Sequence, residues 1–149
     1  MFIRVKRIKK QEYAYLVKNM WIKGNVKQRV VKYLGKLMRT PSEHTCTFQE
    51  FHHIQNLSDY VERTSRLKIL QDIKKWEIAA HGITSHRGQV YALHDGYVCE
   101  YTFRKLAQFQ PGEDDRASGL QLAQLFVHAG FRIPQDLFVL YFQKLTKDI

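Results

Sequence analysis

Apolar and basic positions alternate from the second residue onward. Phe2, Ile3, Val5 and Ile8 are interleaved with Arg4, Lys6 and Arg7, a pattern that predicts a half-buried strand over residues 2–8. Polar Lys9, Lys10 and Gln11 break it. Aromatic and β-branched residues then dominate 13–17, predicting a second strand that runs on through Trp21 and Ile22. Lys23-Gly24-Asn25 reads as a turn, and residues 26–34 as a third strand closed by Gly35. Side chains alternate across a strand, so Tyr13, Tyr15 and Val17 are expected on one face and Ala14 and Leu16 on the other, and Lys27, Arg29, Val31 and Tyr33 are likewise expected to share a face. Three strands alone are marginal and need helices to cover one side.

The period changes after residue 40. Pro41 and Ser42 punctuate, and Thr47-Phe48-Gln49-Glu50 fits a capping box that opens a short helix to about Ile54. Asn56 or Ser58 is placed to cap a longer helix over 59–80. Its apolar stripe of Tyr60, Leu67, Leu70, Ile73 and Ile78, with Val61 and Trp76 beside it, is expected to lie on the sheet and to stop at Gly82. Residues 89–93 and 97–99 read as two short strands about a His94-Asp95-Gly96 turn, followed by a helix over 101–109. Residues 111–115 read as an exposed acidic loop. Ser118 is expected to cap a helix ending at Ala129, and Pro134 to open a last helix that ends near Lys147. The predicted fold class is α+β: a three-stranded antiparallel β-meander packed on helices, with a C-terminal helical hairpin. A single domain over 1–149 is expected, in sections 1–39, 40–82, 83–110 and 116–149, because so small a meander makes a poor domain alone.

Charge sharpens this picture. The net charge is +10. Residues 1–39 hold 12 of the 24 Lys and Arg and one acid, Glu12, whereas residues 40–149 hold 12 basic and 13 acidic residues. The whole excess lies in the predicted meander, and positive charge so concentrated is an electrostatic footprint for a polyanion. Arg4, Lys6, Arg7, Lys27, Arg29 and Lys32 are the candidate phosphate contacts. Tyr13, Tyr15 and Tyr33, with Trp21, are the candidate stacking platforms for bases. The expected partner is nucleic acid, DNA or RNA.

Three segments of this stretch also carry a resemblance. Phe-Ile-Arg-Val-Lys, Glu-Tyr-Ala-Tyr-Leu-Val and Gly24-Asn-Val-Lys-Gln-Arg-Val-Val-Lys-Tyr-Leu-Gly35 together resemble the basic N-terminal segment of transposases of the IS1634/IS4-like group. The resemblance covers residues 2–37 and implies DNA engagement. The transposase catalytic core has no counterpart in this chain, so the resemblance implies a binding module without the nuclease.

Other chemistry is less well served. His44, Cys46, His52, His53, His81, His86, His94 and Cys99 offer metal-ligand types, but without Cys-x-x-Cys or His-x-x-x-His spacing. They read as loop and helix-surface histidines, and neither a metal nor a cofactor is expected. Cys99 has no evident activating base, and Glu113, Asp114 and Asp115 sit in a solvated Pro-Gly loop. No enzymatic activity is expected, a small mobile-element nuclease being the catalytic alternative.

The last two helices have a helix-turn-helix outline, but residues 137–142 are apolar nearly all round, unlike a recognition helix. Phe138, Leu140 and Tyr141 are therefore the candidate interface residues of a homodimer. An oligomeric regulatory protein assembled there is the alternative to nucleic-acid binding. No apolar run is long enough to span a membrane, so no membrane partner is expected. Residues 1–10 lack the features of a secretory leader. Two cysteines cannot build a disulfide framework, which predicts a cytoplasmic protein, free or held near the nucleoid or ribosome.

Overall fold

The computed structural model describes residues 1–40, 46–83 and 88–147. Pro41, Ser42, His44 and His86 lie outside them. The fold is α+β. Strands β1 (Phe2–Ile8), β2 (Gln11–Ile22) and β3 (Asn25–Arg39) form the predicted antiparallel meander. Helices α1 (Phe48–His52), α2 (Leu57–Arg63) and α3 (Arg66–Ala80) follow, then β4 (Gln89–Leu93), β5 (Gly96–Val98), α4 (Glu100–Ala107), α5 (Asp115–His128) and α6 (Gln135–Lys147).

The five strands form one sheet in chain order. The join is parallel, with residues 36–39 of β3 pairing residues 89–92 of β4. A parallel pair needs a long crossover, here supplied by α1 to α3. The third strand therefore does not close at Gly35. That glycine has φ +142°, and a Cβ there would lie 2.6 Å from the Gly88 carbonyl oxygen. Its missing side chain lets β3 continue beside the start of β4.

The sheet also coils, bringing its two ends together. The Tyr101 hydroxyl, just after β5, donates to the Met1 carbonyl at 3.3 Å. Ala14, Leu37 and Val90 are buried together, with Ile3, Val5, Leu34, Ala92 and Tyr97 packed around them.

The main core lies between the helices and β4–β5. Phe48, Val61, Leu70, Ile73, Trp76, Leu106, Leu122, Phe126 and Leu137 bury against Tyr91, Leu93 and Val98. Thr47 caps α1 as its spacing predicts, its Oγ1 accepting from the Glu50 amide at 3.1 Å. The long helix expected over 59–80 is instead two. Asn56 caps α2, and the Ser65 side chain accepts from the Lys68 amide, starting α3 afresh. Each serine or asparagine hydroxyl or amide competes for backbone partners and favours a helix start over a helix interior.

Asp114 rather than Ser118 caps α5, so part of the expected acidic loop is helix. Ser118 is buried, and its Oγ accepts from the Gly112 amide at 2.8 Å. In α6 the buried residues are Leu137, Tyr141 and Leu145, one stripe at helical spacing. Tyr141 is fully buried, and Phe138 and Leu140 pack partly against the core. Tyr141 thus serves the fold and cannot form an interface, because the ring has no exposed surface to offer. Among the described residues no helix is long and apolar enough to cross a membrane.

Candidate nucleic-acid interface

β1 ends its pairing at Phe2, opposite Val17, while β2 continues to Ile22 and turns into β3. Residues 18–22 and 25–29 therefore form a two-stranded ribbon that runs about 16 Å past the edge strand, at about 3.3 Å per residue. Every residue from 21 to 33 is exposed. Trp21, near the tip, is 77% exposed and pairs with Val26. Lys23, with φ +51°, and Gly24, with φ +80°, make the left-handed turn that a twisted two-residue hairpin requires.

Register decides which side chains share a face. Directly paired residues point the same way. Tyr13 pairs Lys6 and Lys36, and Tyr15 pairs Arg4 and Tyr33. These residues make one surface. The Tyr15 and Tyr33 rings are 5.2 Å apart, Tyr13 and Tyr33 6.4 Å, and the Lys6 ammonium lies 5.2 Å from the Tyr15 ring centre. Ile8 completes a shallow depression with the three tyrosines. Arg4 donates to the Gln28 side chain across β2, tying β1 to the ribbon. Met38 and Tyr91 follow on the same side of the sheet, where the helices cover it. Among the described residues, the helices cover this face at β4 and leave it open over β1 to β3.

Two register shifts, between Ala14 and Tyr15 and between Leu16 and Val17, leave Leu34 and Val31 as extra residues of β3. Each bulge reverses the alternation. Lys27 and Arg29 consequently pair Met20 and Lys18, and Lys32 pairs Leu16, all on the face opposite Tyr33. The expectation that Lys27, Arg29, Val31 and Tyr33 share a face is corrected by this bulge. Arg7, paired with Glu12, also lies on that second face. There Lys32, Leu16 and Leu34 open onto a cleft whose far wall carries Lys74 and Arg104. The cations first grouped together are therefore divided: Arg4 and Lys6 beside the tyrosines, and Arg7, Lys27, Arg29 and Lys32 on the reverse.

The one acid of the meander is accounted for. Arg39 donates to both Glu12 carboxylate oxygens, at 2.8 and 3.1 Å. That hydrogen bond holds the Glu12 carboxyl below its ordinary range and raises Arg39 above its own. The pair cancels locally and leaves the ribbon's lysines and arginines with no acid among residues 13–39.

The histidines are less superficial than their spacing suggests. His52 Nε2 lies 2.8 Å from the Asp72 carbonyl oxygen. His81, at the end of α3, is buried, and its Nδ1 lies 2.8 Å from the Glu77 carbonyl oxygen. His94 occupies the left-handed position of the β4–β5 turn, with φ +54°. Its ring turns inward, with 16% of the side chain exposed, and its Nε2 lies 3.2 Å from Glu77 Oε2. Glu77 itself is fully buried. Burial pushes its carboxyl up to about 7, against the Arg132 amide, which donates to Oε1 at 2.7 Å and lowers it. Glu77 drew no notice in the sequence. The signal that would have found it is Glu-x-x-x-His at the end of a helix, since residues four apart share a helical face.

Compared with known protein families, curated proteins and solved structures, the chain matches none.

Proposed function

We propose that this protein binds nucleic acid, gripping a double helix with the β2–β3 ribbon while the tyrosine surface at its base lies against the backbone or an unpaired base. The observation that carries the reading is the projecting ribbon itself, exposed at every residue from 21 to 29 and carrying Lys18, Lys23, Lys27 and Arg29. A compact protein gains nothing in stability from a ribbon whose apolar residues Trp21, Ile22 and Val26 stay in water. Cations on the ribbon suit phosphates on groove walls, and a groove about 12 Å wide admits a two-stranded ribbon. In this reading the division of cations between two faces is an asset, because a ribbon in a groove presents both faces and both edges to the walls. Trp21 at the tip is placed as an apolar wedge or a stacking ring.

The alternative of an oligomer built on α6 is weakened by the burial of Tyr141. The test is a salt-titrated comparison of duplex DNA, single-stranded DNA and structured RNA. It is run on the native chain and on a Lys27→Glu/Arg29→Glu/Lys32→Glu variant whose fold is checked by circular dichroism. The native chain should bind duplex tightest, with log affinity falling linearly in log salt. The variant should lose at least ~30-fold in affinity and about 3 from the salt slope, roughly one per phosphate contact. Unchanged binding by the folded variant rejects the proposal.

A further inference from the structure

Far from the ribbon, three side chains from two elements converge. Glu77 comes from the last turn of α3, His81 from its C-terminal cap, and His94 from the β4–β5 turn. One donor atom from each lies within 4.8 Å of the others. We propose that Glu77, His81 and His94 form a binding site for a divalent transition-metal ion, zinc foremost.

The donor chemistry is the first argument. Two imidazoles and one carboxylate are the set that zinc and its neighbours take, at about 2.0–2.2 Å per bond. Two such donors on one tetrahedral ion stand roughly 3.3 Å apart. The 3.2 Å between His94 Nε2 and Glu77 Oε2 falls in that range.

Orientation by outer groups is the second argument. The Arg132 amide holds Glu77 Oε1, so Oε2 is the oxygen turned to the histidines. When His81 Nδ1 donates to the Glu77 carbonyl, the proton sits on that nitrogen and the lone pair on Nε2. A ligand histidine is set in this way by a carbonyl on its other nitrogen. The His81 and His94 rings stand edge to face with centres 5.3 Å apart, so the imidazoles approach without stacking.

Burial is the third argument. The side chains of Glu77 and His81 are 0% and 3% exposed. Buried donors of this kind are shielded from competing water, and the shell around a metal site controls solvent access in that way. His94 also lines a cleft with Cys46, Thr47, Trp76 and Arg132, which gives an ion a way in. Three protein donors leave coordination open for a water or a further ligand. Joining α3, the β4–β5 turn and, through Arg132, the α5–α6 connection, the ion would staple the helical layer to the sheet.

The experiment uses the full chain stripped with a chelator and dialysed. Zinc chloride is titrated by calorimetry and cobalt chloride by visible absorption, and melting is followed with and without zinc. The native chain should take up one equivalent of zinc at micromolar affinity or tighter. It should show a tetrahedral or five-coordinate cobalt spectrum and should melt higher when loaded. His94→Asn, which suits the left-handed turn, and Glu77→Gln should each weaken uptake at least tenfold, whereas His128→Asn on α5 should not. Should Glu77→Gln fail to fold, His94→Asn decides. A native chain without a saturable equivalent, or a folded His94→Asn chain that binds as the native one does, overturns the proposal.

Discussion

The two ends of this molecule spend their aromatic residues in opposite ways. In the helical layer Phe48, Phe126 and Tyr141 are fully buried, and Phe48 meets Tyr60 and Trp76 edge to face. Along β2 and β3 Trp21 is 77% and Tyr33 50% exposed, on strands that also carry Lys18, Lys27, Arg29 and Lys32. Neighbouring charge explains the contrast. Burying a ribbon studded with lysine and arginine would strand their charges away from water, a cost that apolar contact does not offset. Buried aromatics here hold the fold, while exposed ones mark a surface that stability did not select. The helical layer is thus where substitutions should unfold the chain, and the ribbon is where they should alter binding alone.

The strongest way to break that contrast is at Gly96. A Cβ there would lie 1.8 Å from the Val127 carbonyl oxygen, a main-chain atom at the end of α5 that no rotamer change can move. Gly96→Val should cost more than about 4 kcal/mol, or abolish cooperative unfolding in urea. A normal urea midpoint would show that β5 and α5 are not packed as described.

A paired substitution sharpens it further. Phe126→Ala, in the core, should cost about 3–5 kcal/mol by chemical denaturation. Trp21→Ala should change stability by no more than about 0.5 kcal/mol, yet weaken nucleic-acid binding by roughly 5- to 100-fold, the range for one lost stacking contact. Comparable stability losses for the two would erase the distinction between the regions.

The smallest effect is electrostatic and confined to the helical layer. Burial pushes the Asp72 carboxyl up, but hydrogen bonds from Lys68 at 2.8 Å and the Tyr60 hydroxyl at 2.6 Å outweigh it and hold it below its ordinary range. The same burial and the Asp72 bond push the Tyr60 hydroxyl far up, so it stays a donor. Because the folded carboxyl titrates below the unfolded one, its contribution is complete above about pH 4 and is lost as pH falls through the folded value. Lys68 is half exposed, so solvent screening keeps the pair's contribution small. Asp72→Asn should therefore flatten the acid limb of the stability–pH curve below about pH 4 and leave salt-dependent binding unchanged. Urea midpoints from pH 2 to 7 measure the first, and binding isotherms the second.

Much of the architecture was legible because it rests on local rules. The alternation of residues 2–8 and 13–22, the Lys23-Gly24 turn, the Thr47 cap and the helical period of α3 each act within a few residues, and all appear in the fold. The Ser65 break was missed because one capping oxygen competes with an otherwise unbroken apolar stripe. The candidate binding residues were legible as a set, through charge, but not as a surface. One extra residue at Val31 turns Lys27 and Arg29 away from Tyr33, and sequence periodicity carries no mark of it.

What the amino-acid order determined by itself is the inventory: which stretches are strands, which are helices, and that the positive excess belongs to the first quarter of the chain. Only the tertiary structure decided that β3 runs past Gly35 to join β4, that Tyr141 is interior, and that Glu77 meets His94 across 17 positions. The reason is physical. Strand and helix preferences are settled by atoms a few bonds apart, whereas register, burial and side-chain convergence are settled by whatever the rest of the chain packs against them.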